Sequence, residues 1–320
     1  MVDNIKRILS AAGLDPSGAN VSPLTGGVSS ETFSALLESG SYVVKQALEQ
    51  LNVEEEWRAD PGRIVAEGEA LEWFHSLTPD YVPRPIAVLK QFYALVLPMA
   101  EQPSPDLRRV LLDSPQDFAV EWANTLGAVL RTWHLADPAD AAGSALEDVV
   151  RLTDLRITPF YRDMAVRWPE YETIIDSLVD ELLSVKTAVV HGDFTPKNIL
   201  CKPDGSLWII DTEVSHIGNP VIDTASMLSH LMLKSVLYSS EPEIAKLLVA
   251  ARDAFLSQLP LRSTPPSLEA HMGLFMSVRL AGRARVPYLS SPASRRTAEE
   301  VSRAFLEGAK LEEVGAQWHI

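Results

Sequence analysis

Two carboxylates and one amide stand in this sequence at a spacing that suits the handling of phosphate. The stretch Val189-Val190-His191-Gly192-Asp193-Phe194-Thr195-Pro196-Lys197-Asn198-Ile199-Leu200 carries Asp193 and Asn198, and Leu207-Trp208-Ile209-Ile210-Asp211 follows it. An apolar strand delivers a His-Gly-Asp turn. A second short strand ends at Ile199-Leu200-Cys201, a turn follows at Lys202-Pro203-Asp204-Gly205, and a third strand, 207–210, ends on Asp211. Turn residues between apolar runs predict this strand-turn-strand order. It brings Asp193, Asn198 and Asp211 to the ends of neighbouring strands, facing one space. Phosphoryl transfer asks the protein for a carboxylate that orients and deprotonates a hydroxyl, and for hard oxygens that hold Mg2+ on nucleotide phosphates. Asp193 is the candidate base, and Asn198 and Asp211 are the candidate metal ligands. The plain alternative is a hairpin with ordinary turn residues.

Upstream elements supply further parts. Thr25-Gly26-Gly27-Val28-Ser29-Ser30 lies between two apparent strands. A Gly-rich hairpin lets backbone N–H groups approach phosphates, but the Gly-Lys-Ser/Thr ending of a Walker A loop is absent. Gly40-Ser41 is a turn, and the strand after it carries Lys45. A helix is predicted over 61–77, with Asp60 as its cap and Pro61 at its first position. Glu67 and Glu69 on that helix are both candidate partners for Lys45. Residues 86–89 and 93–99 read as two more strands.

These parts occur in kinase order: loop, strand lysine, helix glutamate, His-x-Asp-x-x-x-x-Asn, then an Asp at a strand end. The chain resembles the aminoglycoside phosphotransferase and choline kinase family of small-molecule kinases. The resemblance implies an α+β, two-lobed protein-kinase-like fold. Residues 1–100 would form the nucleotide-binding lobe, an antiparallel sheet plus a helix, and 101–320 a mainly helical catalytic and substrate-binding lobe. It further implies ATP and Mg2+ as cofactors and a small hydroxyl compound as acceptor. Gly26, Gly27, Ser29 and Ser30 then belong to the nucleotide loop. Lys45 meets the α- and β-phosphates and is held by Glu67, which fits the family's Glu-x-x-x-Leu pattern through Leu71. Adenine bonds backbone near Leu97 to Met99, between walls that include Val43, Leu200 and Ile210. Glu213 acts behind the metal or through a water. A local likeness to 5-methylthioribose kinase rests on Lys45-Gln46-Ala47-Leu48 with Val53 and Trp57 downstream, and on Val278-Arg279-Leu280-Ala281-Gly282-Arg283-Ala284-Arg285-Val286. It places Arg279 on the phosphate or substrate side and points to a sugar acceptor. An aminoglycoside or an amino alcohol such as choline is the alternative. A protein kinase and an inactive nucleotide-binding protein are rivals from other classes. Gly192 stands where regulated protein kinases carry Arg, and 211–223 leaves no room for a long activation loop.

The remaining sequence frames this machinery. An apolar content of 46% over 320 residues is ample for a core, and there is one cysteine, Cys201, expected to be a buried strand thiol. No apolar run is long enough to span a bilayer, and no export signal is recognised, so a cytoplasmic location is expected. The net charge of -15 argues against binding nucleic acid and suits a cationic substrate or simple solubility. Helices are predicted at 3–12, 118–136, 170–185, 224–234 and 295–314. His134 is expected to be a packing residue, and Asp223 to cap its helix and tie down the catalytic loop.

Overall fold

The computed structural model describes residues 2–24, 30–50 and 59–318. The proposed loop residues Gly26, Gly27 and Ser29, together with Val53 and Trp57, lie outside them.

The amino-terminal part is built on one antiparallel sheet. Helix α1 (Val2–Ala11) buries Ile5, Ile8 and Leu9 against it. Strands β1 (Asn20–Leu24), β2 (Ser30–Leu37) and β3 (Gly40–Ala47) follow, then helix α2 (Arg63–Leu77) and strands β4 (Ala87–Leu89) and β5 (Ala94–Pro98). The sheet order is β1-β2-β3-β5-β4. Lys45 pairs with Thr32 on one side and Leu95 on the other, so its register is fixed from both edges. Helix α2 begins two residues after Pro61. Asp60 does not cap the first helical residue; its carboxylate accepts the Gly62 N–H at 2.8 Å instead. Gly68 lets α2 approach the sheet closely, because a Cβ there would meet Val88 Cγ2 at 2.3 Å.

The rest is mainly helical. Helices α3 (Leu107–Asp113) and α4 (Val120–Leu135) lead to α5 (Val150–Leu152), a π-helical segment Thr153–Arg162 containing Pro159, and α6 (Asp163–Arg167). Pro159 has no N–H to donate, and the wider helix accommodates it. Helix α7 (Glu172–Ser184) precedes strands β6 (Ala188–Val190), β7 (Ile199–Cys201), β8 (Leu207–Ile209) and β9 (His216–Gly218). β7 pairs with β8, but β6 pairs with β9. Asp193, at the end of β6, and Asn198 and Asp211, at the ends of β7 and β8, therefore sit on two small ribbons. Helices α8 (Val221–Leu237), α9 (Pro242–Gln258), α10 (Leu268–Leu280), α11 (Pro292–Leu306) and α12 (Leu311–Trp318) complete the lobe. The single helix expected over 295–314 is two, parted at Gly308, whose φ is +98°. One apolar core runs through both lobes, from Ile64, Leu71 and Phe74 of α2 to the C-terminal helices. No helix among the described residues is long and apolar enough to cross a membrane.

Candidate active site

Asp193 leaves β6 on a turn that only glycine serves well. Gly192 has φ +76°, and a Cβ there would lie 2.7 Å from the Val214 carbonyl oxygen. An arginine at this position has no room. The turn is fixed from below by Asp223, a fully buried carboxylate that accepts the N–H groups of His191 and Gly192, both at 2.8 Å. His134 Nε2 lies 3.2 Å from the same carboxylate, and its Nδ1 lies 2.8 Å from Ser263 Oγ. His134 is thus a packing residue, as expected. Asp223 ties down the loop but does not cap its helix, since it sits inside α8 rather than at its start.

His191 joins the two ends of the machinery. Its Nδ1 accepts the Asp193 N–H at 3.2 Å, which leaves Nε2 to donate to the Ile210 carbonyl at 3.1 Å. Burial lowers its pKa, so the neutral ring holds this tautomer. One imidazole therefore sets Asp193 and the residue before Asp211. Its ring stacks with Phe74 and Trp133, at centroid distances of 6.4 and 6.5 Å.

On the sheet side, Lys45 Nζ donates to Glu67 Oε1 at 2.8 Å and to Asp211 Oδ1 at 2.5 Å. Glu67 is the lysine's partner; Glu69 turns away and accepts the Ala145 N–H at 2.6 Å. Burial pulls the Lys45 pKa down, but the charges of Asp211, Glu67 and Glu213 outweigh it and leave the ammonium more basic than usual. Asp211 takes a left-handed backbone conformation, φ +68°, uncommon for a residue with a side chain and often found at functional positions. Thr212 Oγ1 donates to the Glu67 carbonyl at 3.1 Å and locks α2 to this turn. Glu213 accepts from Arg63 Nε at 3.2 Å. Oxygens of Glu67, Asp211 and Glu213 lie within 4.8 Å of one another. Asn198 donates Nδ2 to both the carbonyl and Oδ2 of Asp193, each at 2.9 Å, which leaves its own Oδ1 as an acceptor. Carboxylate and amide oxygens so placed fit Mg2+.

Two cations not among the expected site residues grip the Asp193 carboxylate. Arg156 Nη2 lies 2.7 Å from Asp193 Oδ1, and Lys197 Nζ lies 3.0 Å from Oδ2. Burial works to raise the Asp193 pKa, but Arg156 and Lys197 hold it far below the ordinary carboxylate value. Lys197 had a local signal, its four-residue spacing from Asp193. Arg156 had none, being an arginine in a long helical run.

The proposed adenine walls are half-buried while their neighbours are not. Leu200 and Ile210 are partly exposed beside fully buried Ile199 and Ile209, and Val43 beside Val44, so all three keep some apolar surface exposed. The Met99 N–H is engaged by the Ser41 carbonyl at 3.0 Å. Leu97 is buried opposite Val43. Ser30 is buried at the start of β2, its Oγ 3.4 Å from Thr32 Oγ1.

Beyond Asp193 opens a cavity of about 730 Å3 between α3, the π-helical segment and the residues after α10. Arg279 reaches it, its guanidinium 5.4 Å from the Phe160 ring centroid, and Arg156 lies 5.1 Å from the same ring.

The sequence model of the phosphotransferase enzyme family matches residues 20–258, a span that runs from β1 to the end of α9. The chain belongs to that family. This phosphotransferase is an enzyme, a small-molecule kinase with an alcohol group as acceptor. No curated protein sequence matches it. Among solved structures it is similar to macrolide 2'-phosphotransferase from Brachybacterium faecium, with 16% identity, 96% of this chain and 99% of that one covered, and a TM-score of 0.51. Choline kinase from Streptococcus pneumoniae gives 15% identity, 98% and 94% coverage and a TM-score of 0.52. A thermostable aminoglycoside phosphotransferase in ternary complex with ADP and hygromycin B gives 14%, 95% and 98%, and 0.54. At these identities the likeness shows the fold, which is the two-lobed kinase-like one expected.

Proposed function

We propose that the phosphotransferase moves the γ-phosphoryl group of ATP to a hydroxyl of a small molecule, first of all a sugar, with Asp193 as base. The observation that carries this reading is the Lys45 bridge, 2.8 Å to Glu67 and 2.5 Å to Asp211, standing beside Asp193 through the His191 link. Lys45 contacts the α- and β-phosphates. Val43, Leu200 and Ile210 sandwich the adenine. Adenine bonds backbone near the Leu97–Met99 stretch, where the Met99 N–H is already engaged by the Ser41 carbonyl. Asp211 and Asn198 hold Mg2+, whose contribution is to neutralise charge on the phosphates, and Glu213 stands behind them. Asp193 accepts a hydrogen bond from the acceptor hydroxyl and takes its proton as the new P–O bond forms. The bond to the β-phosphate oxygen breaks, and ADP leaves. A base as weak as this one takes the proton late, which suits a loose transition state.

The amino-alcohol and aminoglycoside alternative draws on neighbours named as a choline kinase and as a complex with hygromycin B. The test is ADP release from ATP and Mg2+ across pentoses including methylthioribose, choline, ethanolamine, aminoglycosides and homoserine, with Asp193→Ala run beside the wild type. Acceptor-dependent release that vanishes in the variant is expected. Equal release by the variant would reject Asp193 as the base.

A further inference from the structure

The chain carries 43 acidic residues against 28 lysines and arginines, yet its acceptor cavity has the opposite balance. Seven of the 18 lining residues are Arg or Lys and three are acidic. Those three are already committed or peripheral. Asp193 is gripped by Arg156 and Lys197, and Glu213 is paired with Arg63 on the sheet side. Asp113 ends α3 at the cavity edge.

The inner wall adds polar groups with nothing to bind. His230 is 8% exposed, lines the cavity, and neither ring nitrogen has a hydrogen-bond partner among the described residues. Arg279 Nε and Tyr288 Oη are likewise buried and unpartnered among them. Behind this wall Lys234 is fully buried, its ammonium 4.0 Å from the Tyr288 ring centroid and without an acceptor among the described residues. Burial and the nearby Arg279 charge bring the Lys234 pKa down to about 7. Buried donors without partners are costly and rare, and three of them lining one cavity, His230, Arg279 and Tyr288, point to a ligand that supplies acceptors. Leu155 and Phe160 give the same cavity an apolar side.

We infer that the acceptor is an anionic hydroxyl compound, whose carboxylate or phosphate is held by Arg279, Tyr288 and His230 while its hydroxyl faces Asp193; Lys234 lies behind Tyr288 and does not touch it. The inference rests on the kinase reading and narrows it. It favours a sugar acid, a sugar phosphate or another hydroxy acid, and it turns away choline and aminoglycosides, which bring positive charge to a positive wall. Arg156 and Lys197 balance the catalytic carboxylate, whereas Arg279 is ion-paired with no carboxylate among the described residues and is spare for the acceptor.

The experiment compares matched pairs with ATP and Mg2+: pentose 5-phosphate against pentose, sugar acid against its amide, and choline as the cationic member. ADP release gives kcat/KM, and calorimetry gives binding of the same compounds. The anionic member of at least one pair is expected to lead its neutral partner tenfold or more, and which pair does so separates phosphate from carboxylate. Arg279→Met should reduce that anionic-to-neutral ratio at least tenfold, and Arg108→Gln, at the more exposed side of the cavity, should reduce it less and guards against misfolding of the first variant. A structural role alone would lower both members together. Neutral or cationic compounds equal to the anions in both turnover and binding would overturn the inference. Failure to bind ATP with Mg2+ at all would instead sink the kinase reading.

Discussion

At the scale of single residues, Asp193 works because of what surrounds it. Arg156 and Lys197 keep it ionised, so no acid limb from the base is expected in kcat/KM between about pH 5 and 9. Removing a cation favours the protonated form. Arg156→Met therefore raises the Asp193 pKa, and activity is lost at a higher pH as the solution is acidified. A kcat/KM profile with unshifted limbs in the variant would refute this role. Gly192→Ala forces a side chain into a left-handed conformation and against Val214. A loss of at least about 1–2 kcal/mol is expected in a denaturant titration. The proximity of Asp193 and Asn198 was legible because they lie in one short motif whose spacing is fixed by a turn. Arg156 was not, since its partner is Asp193, far along the chain, and nothing local marks one arginine among many on a helix. The spare inner wall of the cavity was hidden for the same reason. Lys234 and His230 read as ordinary helix residues until α8 is seen to be buried.

At the scale of elements, α8 shows where periodicity fails. The sequence suggests 224–234, but the helix runs Val221–Leu237 and is buried almost all round, so it has no polar face to mark its limits. Asp223 within it is the anchor of the catalytic turn. Asp223→Ala leaves two N–H groups and His134 Nε2 unpaired in the core, and a loss of about 3–5 kcal/mol follows from breaking such a network. Thermal melting beside the wild type checks it. Glu181 of α7 joins other elements through His271 of α10 at 3.6 Å, Ser267 at 2.9 Å and Asn219 at 3.0 Å. With His271 foremost, these contacts bring its pKa down to about 2. A lowered folded-state pKa means stability that is present above the ordinary value near 4.5 and is lost as the pH falls towards 2. Urea midpoints should fall with pH through that window in the wild type and less so in Glu181→Gln; parallel curves would contradict the assignment.

At the scale of the whole molecule, the shared core is what couples the lobes. Phe74 of α2 lies against Trp133 of α4 at a centroid distance of 4.1 Å, and both stack on His191, so the helix that carries Glu67 is packed onto the catalytic turn. Phe74→Ala should cost about 3–5 kcal/mol and lower kcat together with stability, read by melting and turnover on the same preparation. The overall fold was legible because the lobes follow from two distinct patterns, short strands with turns and then long helices. The net charge of -15 describes the whole chain, and the basic lining of the cavity was not legible in it. The central claim is that Asp193 drives phosphoryl transfer from a nucleotide held independently of it. The most direct measurement needs no acceptor: slow transfer of the γ-phosphoryl group to water, followed as ADP release, alongside calorimetry of ATP with Mg2+, for wild type and Asp193→Asn. The account predicts that the variant keeps nucleotide affinity within about threefold and loses about a hundredfold or more in rate. Undiminished ADP release by the variant, or no binding of ATP by the wild type, would contradict it.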